Sequence, residues 1–101
     1  MKNDSLKIQN LKKLARISPF EEAFTAIEEI AEYRSRRAVR ALASLMKLPD
    51  DRGEAAMYAL IDLGTDDVAD AMLACLDSRD DDHAWRAQQV LSAVHGADIA
   101  A

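Results

Sequence analysis

The chain has 101 residues, half of them apolar but only five aromatic, which is the size of one domain with a modest hydrophobic core. It contains no run of about 18 apolar residues and no apolar segment after its charged start, so we expect neither a membrane-spanning helix nor a secretory signal. Residues 1–50 carry ten Lys and Arg and seven Asp and Glu, whereas residues 51–101 carry three Lys and Arg and eleven Asp and Glu. The overall net charge of −5 argues mildly against general nucleic-acid binding.

Apolar residues at helical spacing predict three helices in the first half of the chain. The first covers about residues 4–16. The second begins with Ser18 as its N-cap and Pro19 at its first helical position. The third follows Arg34 and ends before Pro49, which cannot continue a helix. Their predicted inward stripes are, in chain order, Ile8, Leu11, Leu14 and Ala15; Ala23, Ile27, Ile30 and Ala31; and Ala38, Leu42, Leu45 and Met46.

Three further helices are predicted in the second half. Asp50 opens the fourth helix and Gly64 ends it, because glycine suits the turn that follows a helix. Thr65 caps the fifth helix, Asp80 opens the sixth, and Gly96 is predicted to end it. Their predicted inward stripes are Ala56, Ala59, Leu60 and Leu63; Val68, Met72, Cys75 and Leu76; and Ala87, Val90, Leu91 and Val94.

The core positions of the second, fourth and sixth helices repeat along the chain. Ala23-x-x-Ala26-Ile27-x-x-Ile30 recurs 33 residues later as Ala56-x-x-Ala59-Leu60-x-x-Leu63, and 31 residues after that as Ala87-x-x-Val90-Leu91-x-x-Val94. The preceding helices keep step, with Leu11 and Leu14 followed by Leu42 and Leu45, then by Met72 and Cys75. A helical hairpin buries its apolar face only against neighbours, so the repeat predicts an all-α, short α-solenoid. We expect one domain over residues 1–96, a frayed tail over residues 97–101, and hairpins at about residues 4–33, 34–64 and 65–96.

The stretch from Ala55 to Val68, Ala-Ala-Met-Tyr-Ala-Leu-Ile-Asp-Leu-Gly-Thr-Asp-Asp-Val, resembles HEAT-like helical repeats of the phycobilisome-lyase type. In that family an Ala-Leu-x-x-Leu-Gly end of one hairpin is followed by a short polar turn and a Val that starts the next. The resemblance covers residues 38–96 best and departs over residues 1–33, where the glycine after the second helix is missing. It implies three HEAT-like hairpins in which the second helix of each hairpin lines a concave side, and it selects no function.

Residues that carry chemistry are few, and we expect neither an enzyme nor a metal or cofactor site. The chain has no phosphate-binding glycine loop, no His-Glu-x-x-His and no Gly-x-Ser-x-Gly. The single Cys75 lies on an inward stripe, where a small buried hydrophobe is favoured over a reactive thiolate. The acidic run before His83 offers carboxylates for a hard cation, but it lacks the spacing and turn glycine of a calcium loop, which favours a solvated turn.

The concave side implied by the resemblance is acidic and carries two aromatic residues, so we expect it to bind a protein partner with a basic surface. Complementary charge would steer the partner, and aromatic burial would supply affinity. Trp85 is either an anchor for the partner or a cap that covers the open end of the last hairpin. The candidate partner-binding residues are Glu28, Glu29, Glu54, Tyr58, Asp62 and Trp85.

The first and third helices carry a basic face, which supports an alternative function in nucleic-acid binding. Its candidate residues are Lys12, Lys13, Arg36, Arg37 and Arg40. A third interpretation is self-association, in which the basic face of one copy meets the acidic half of another. The leading expectation is a cytoplasmic, bacterial-type, non-catalytic interaction module: an adaptor, an inhibitor or immunity-type protein, or an assembly subunit.

Overall fold

The protein folds into six α-helices along residues 2–100. The computed structural model describes the backbone of these residues and the side chains of residues 4–94. The helices are α1 (Lys2–Ile17), α2 (Phe20–Glu32), α3 (Arg36–Leu45), α4 (Asp51–Leu63), α5 (Asp66–Cys75) and α6 (Asp81–Ala100). No strand occurs in the part of the chain that the structure describes, and the predicted all-α class is confirmed.

The helices pack as three hairpins stacked into two layers. Helix α1 pairs with α2, α3 with α4, and α5 with α6. Helices α1, α3 and α5 contact one another in sequence to form an outer layer, and α2, α4 and α6 form an inner layer. Each hairpin thus covers the apolar face of the next, as the repeat predicts.

The core is centred on the middle hairpin, which has a neighbour on both sides. Its predicted stripes are buried at Leu42, Leu45, Met46 and Leu60. The terminal hairpins differ from the prediction at two positions: Leu14 is 47% exposed and Leu76 is 36% exposed. Both belong to stripes that the middle hairpin buries, so the lack of a neighbouring hairpin at either end explains their exposure.

The predicted start of α2 is wrong in detail, and Thr65 caps α5 by its position only. Ser18 does not cap α2: its backbone N–H still donates to the Leu14 carbonyl of α1 at 2.9 Å, and Pro19 takes the N-cap position. Thr65 does occupy the N-cap of α5, but its side chain makes no capping hydrogen bond. The side-chain cap that the sequence analysis overlooked is Ser35, whose hydroxyl accepts from the Ala38 N–H at 3.2 Å.

Replacing Ser35 with alanine is expected to lower the free energy of unfolding by about 0.5–2 kcal/mol, because a first-turn N–H loses its acceptor. Thr65→Ala is the matched control and should cost less, since the Thr65 hydroxyl accepts no such bond. Urea unfolding followed by circular dichroism measures both. Equal losses in the two variants would contradict the capping role of Ser35.

The two glycines predicted to end helices behave differently. Gly64 has a left-handed backbone (φ 56°, ψ 25°), and its N–H donates to the Leu60 carbonyl at 3.1 Å, so it ends α4 as predicted. Helix α6 instead continues past Gly96 to Ala100. The predicted frayed tail over residues 97–101 is therefore helical as far as Ala100, and Ala101 lies outside the described residues. Glycine inside a helix costs only about 1 kcal/mol, and the alanines that follow favour helix.

Arg52 joins the second hairpin to the first. Its guanidinium donates to the Asp50 carboxylate at 2.9 Å and to the Ser18 carbonyl in the α1–α2 turn. The same group lies 4.7 Å from the centre of the Phe20 ring, a cation–π distance. These contacts fix the start of α4 against the start of α2.

Two side chains of α6 join the third hairpin to the second. The buried His83 donates through Nε2 to the Ala43 carbonyl at 3.1 Å. Arg86 donates to the Met46 and Leu48 carbonyls at 2.8 and 2.6 Å. The last carbonyls of a helix have no intrahelical donors. Here α6 supplies donors to the Ala43 and Met46 carbonyls at the end of α3 and to the Leu48 carbonyl in the following turn.

Candidate functional site

A groove of about 560 Å³ lies between α2 and α4 on the inner layer. Positions three and four residues apart share one side of a helix, and such positions on α2 and α4 form the two walls. Its apolar floor consists of Phe24, Ile27, Ala31, Ala55, Ala59 and Leu63. Its polar rim consists of Glu28, Glu32, Arg34, Tyr58 and Asp62.

The charges of the groove are mostly negative. Glu28 and Glu32 lie one turn apart on α2, and Asp62 lies on α4 across from them. Arg34 is the cation of the rim; it follows α2 in a left-handed backbone conformation with φ of 51°, which costs a non-glycine residue about 1–2 kcal/mol. Three carboxylates thus surround an apolar floor, with one guanidinium at the end of the groove.

Tyr58 supplies the aromatic part of the rim. More than half of its side chain is exposed, and its hydroxyl lies 3.5 Å from the Glu54 carboxylate one turn earlier on α4. A hydrogen bond of that length is weak. The tyrosine therefore presents an apolar ring and a hydroxyl that remains free to bond to a ligand.

The structure brings together three of the six predicted partner-binding residues and places a fourth beside them. Glu28, Tyr58 and Asp62 line the α2/α4 groove, and Glu54 adjoins Tyr58. Glu29 does not line this groove; it lines one separate groove with Leu11 and Leu14 of α1 and another with Glu32 and Tyr33.

Trp85, on α6, is not among the residues that line the α2/α4 groove. Its side chain is 56% exposed. In the repeat it is equivalent to Glu54, which is also exposed, on α4. The exposed ring is available to a partner.

Sequence reasoning missed Glu32 and Arg34 as residues of this groove. The spacing of four from Glu28 to Glu32 was an available signal, because it places both on one side of α2. Arg34 carried no such signal, since its position depends on the left-handed turn between α2 and α3.

The predicted basic face lies on the outer layer, where α5 partly neutralises it. Arg36 pairs with Asp67 of α5, Nε to Oδ1 at 3.5 Å, and Arg40 lines the same α3/α5 groove as Asp70. The remaining members of the face, Lys12 and Lys13 on α1 and Arg37 on α3, form no ion pair within 4.0 Å among the described residues.

Cys75 and His83, the residues considered for catalysis and metal binding, both contact the interior of the fold: Cys75 packs against the core and His83 bonds to α3. Burial raises the pKa of the half-buried Cys75 thiol, an effect that Lys47 opposes, so the thiol form is favoured at neutral pH. His83, which follows the acidic run, is buried; its ring donates to a backbone carbonyl of α3, and it lines a groove with Cys75 and Asp77. Within the described side chains, no group of three His, Cys, Asp or Glu is arranged to hold a metal ion.

Comparisons with protein-family models, with curated protein sequences and with solved structures find no match for this chain. Of the helices described, none combines the length and the apolar character needed to cross a membrane. The geometry of the groove is therefore the basis for the functional argument.

Proposed function

We propose that this protein is a HEAT-like interaction module whose α2/α4 groove binds a basic, partly apolar segment of a partner protein. The observation that carries the proposal is the coincidence, in one groove, of an apolar floor and three rim carboxylates. An apolar floor alone fits many ligands, and carboxylates alone are common on helix surfaces. Together they favour a segment that combines cationic and apolar side chains.

The two parts of the groove have different roles in this proposal. The floor around Phe24 and Ile27 supplies affinity through apolar burial, to which the exposed ring of Tyr58 adds an aromatic contact. The carboxylates Glu28 and Asp62 steer a cationic segment and reject an acidic one. An amphipathic helix laid between α2 and α4 satisfies both requirements.

Adjacent glutamates on α2 provide a matched test. Peptides selected from a random display library on the wild-type protein are expected to combine Lys or Arg with apolar residues. Glu28→Lys, on the groove side, should weaken their binding by about tenfold or more, the effect of losing roughly 1.4 kcal/mol. Glu29→Lys makes the same charge change at the adjacent residue, which does not line the α2/α4 groove, and should leave the affinity within about twofold.

Fluorescence anisotropy with labelled peptides at two salt concentrations measures these affinities. Equal losses in both variants would show that overall charge, not the groove, attracts the peptide. Selection of acidic peptides would contradict the proposed partner class. Circular dichroism of each variant confirms that the helices remain folded.

The alternative, nucleic-acid binding, rests on Lys12, Lys13 and Arg37 of the outer layer, which form no ion pair with the side chains that the structure describes. It predicts a salt-dependent affinity for duplex or single-stranded nucleic acid, because phosphate contacts release counterions. Arg37→Glu would then abolish that binding while Glu28→Lys leaves it intact or strengthens it. The proposed groove function predicts the opposite pattern for peptide binding.

A further inference from the structure

Arg34 lies at the end of the α2/α4 groove in a backbone conformation that favours glycine. Its φ is 51°, close to the 56° of Gly64, the residue that ends α4 in the next hairpin. Glycine adopts this conformation without steric cost, whereas a residue with a Cβ atom is strained in it. Strained residues cluster at functional sites, so an arginine at this position indicates a role for the side chain beyond the turn.

The Arg34 side chain is exposed and lines the groove together with three carboxylates, those of Glu28, Glu32 and Asp62. Among the side chains that the structure describes, none forms an ion pair with its guanidinium within 4.0 Å. At longer distances water and salt screen the attraction between exposed charges. The guanidinium therefore keeps its hydrogen-bond donors available to a ligand in the groove.

The groove thus favours two kinds of charge on its ligand. The three carboxylates attract cations, but a cation placed against Arg34 would meet a like charge. A carboxylate placed there would accept two parallel hydrogen bonds from the planar guanidinium, a geometry that a lysine cannot offer. Because Glu32 and Asp62 repel further negative charge, one carboxylate fits this end of the groove and an acidic run does not.

We propose that Arg34 binds a single carboxylate at one end of the segment that occupies the groove, and so determines which end of that segment lies at the α2–α3 turn. This inference rests on the proposed function and narrows its ligand to a basic, partly apolar segment that carries a carboxylate at one end. The same chemistry has two sources: the C-terminus of the partner chain, or an Asp or Glu side chain at the end of the segment. Arg34 is then a specificity-determining residue, because the rest of the rim selects only for cations.

Labelled peptides of lysine and leucine at helical spacing, made in three forms, test this inference. The first form is amidated and has no carboxylate. The second has the same sequence with a free C-terminus, and the third is amidated with one glutamate at its first or last position. On the wild type, the second or the third form should bind about fivefold more tightly than the first, the effect of one exposed ion pair, although the carboxylate lowers the peptide's positive charge. The form that gains affinity identifies the source of the carboxylate.

Arg34→Gly removes the guanidinium and introduces the residue type that ends α4, so the helices should remain folded, as circular dichroism verifies. In this variant the advantage of the carboxylate should disappear, while the first form binds as tightly as it does to the wild type or more tightly. If Arg34 only reduced repulsion among the rim carboxylates, its removal would instead strengthen the binding of all three forms alike. Arg37→Gln removes one positive charge from the outer layer, outside the groove, and should bind every form like the wild type.

Two results would overturn the inference: a wild type that binds the first form at least as tightly as the others, or a preference for the carboxylate that survives Arg34→Gly. Glu28→Lys separates this failure from a failure of the proposed function. If it weakens the binding of the first form but no form with a carboxylate is preferred, the groove binds a basic segment and only the role of Arg34 is wrong. If no form binds in a way that depends on Glu28, both proposals are wrong.

Discussion

Leu60→Ala is expected to lower the free energy of unfolding by about 2–5 kcal/mol. Leu60 is fully buried in α4, the middle helix of the inner layer, which contacts α2, α3 and α6. Removing three carbons there leaves a cavity that several helices would have to move together to fill. Urea unfolding monitored by circular dichroism measures the loss.

Leu6→Ala is the control for this substitution. It removes the same atoms from a side chain that is mostly exposed on α1, so the expected change is within about 0.5 kcal/mol. A loss for Leu60→Ala no larger than that for Leu6→Ala would mean that the assigned register of α4 is wrong.

The interior of the fold was predictable from sequence because the middle hairpin is enclosed. The helical spacing of apolar residues identifies the face of a helix that is buried, and a neighbour on each side buries the whole of it. Leu42, Leu45 and Leu60 follow this rule. Leu14 and Leu76 belong to the same pattern, but burial also depends on what lies beyond the end of the stack, which no residue of their own helix specifies.

The candidate site was predictable in part. Charge and exposure identified Glu28, Tyr58 and Asp62, which the structure places in one groove. Glu28 and Glu29 were predicted together, but only Glu28 lines this groove, because adjacent residues on a helix point about 100° apart. Only the position of α4 beside α2 shows which of the two faces the groove.

Contacts between the hairpins were beyond sequence reasoning. His83 looked like part of a solvated acidic turn, yet its ring is buried and donates to the Ala43 carbonyl of α3. Arg86 lies outside the predicted inward stripe of α6, yet it donates to two carbonyls of the preceding hairpin. These side chains bond to groups 40 residues earlier in the sequence. The periodicity of apolar residues within one helix does not predict contacts between residues so far apart in sequence.

Gly53→Ala is expected to lower the free energy of unfolding by about 2–4 kcal/mol, although alanine is the better helix former by about 1 kcal/mol. Gly53 is buried in the first turn of α4, and a Cβ atom there would overlap the Leu48 carbonyl oxygen and the Arg86 guanidinium. The carbonyl belongs to the backbone of the α3–α4 turn, so it cannot swing aside as a side-chain end does. Arg86 would have to leave, and its charged hydrogen bonds to Met46 and Leu48, each worth about 1.5–3 kcal/mol, would be lost.

A double-mutant cycle with Arg86→Met separates the two parts of this cost. In that background the guanidinium is already gone, so Gly53→Ala should cost less than in the wild type, and the difference measures the coupling between the two residues. The remaining change is the cost of the overlap with the Leu48 carbonyl less the roughly 1 kcal/mol gained from helix propensity. If Gly53→Ala instead stabilises the protein by the roughly 1 kcal/mol of helix propensity, the close approach of α4, the α3–α4 turn and α6 does not exist in solution. The linkage between the second and third hairpins would then rest on apolar contacts and His83.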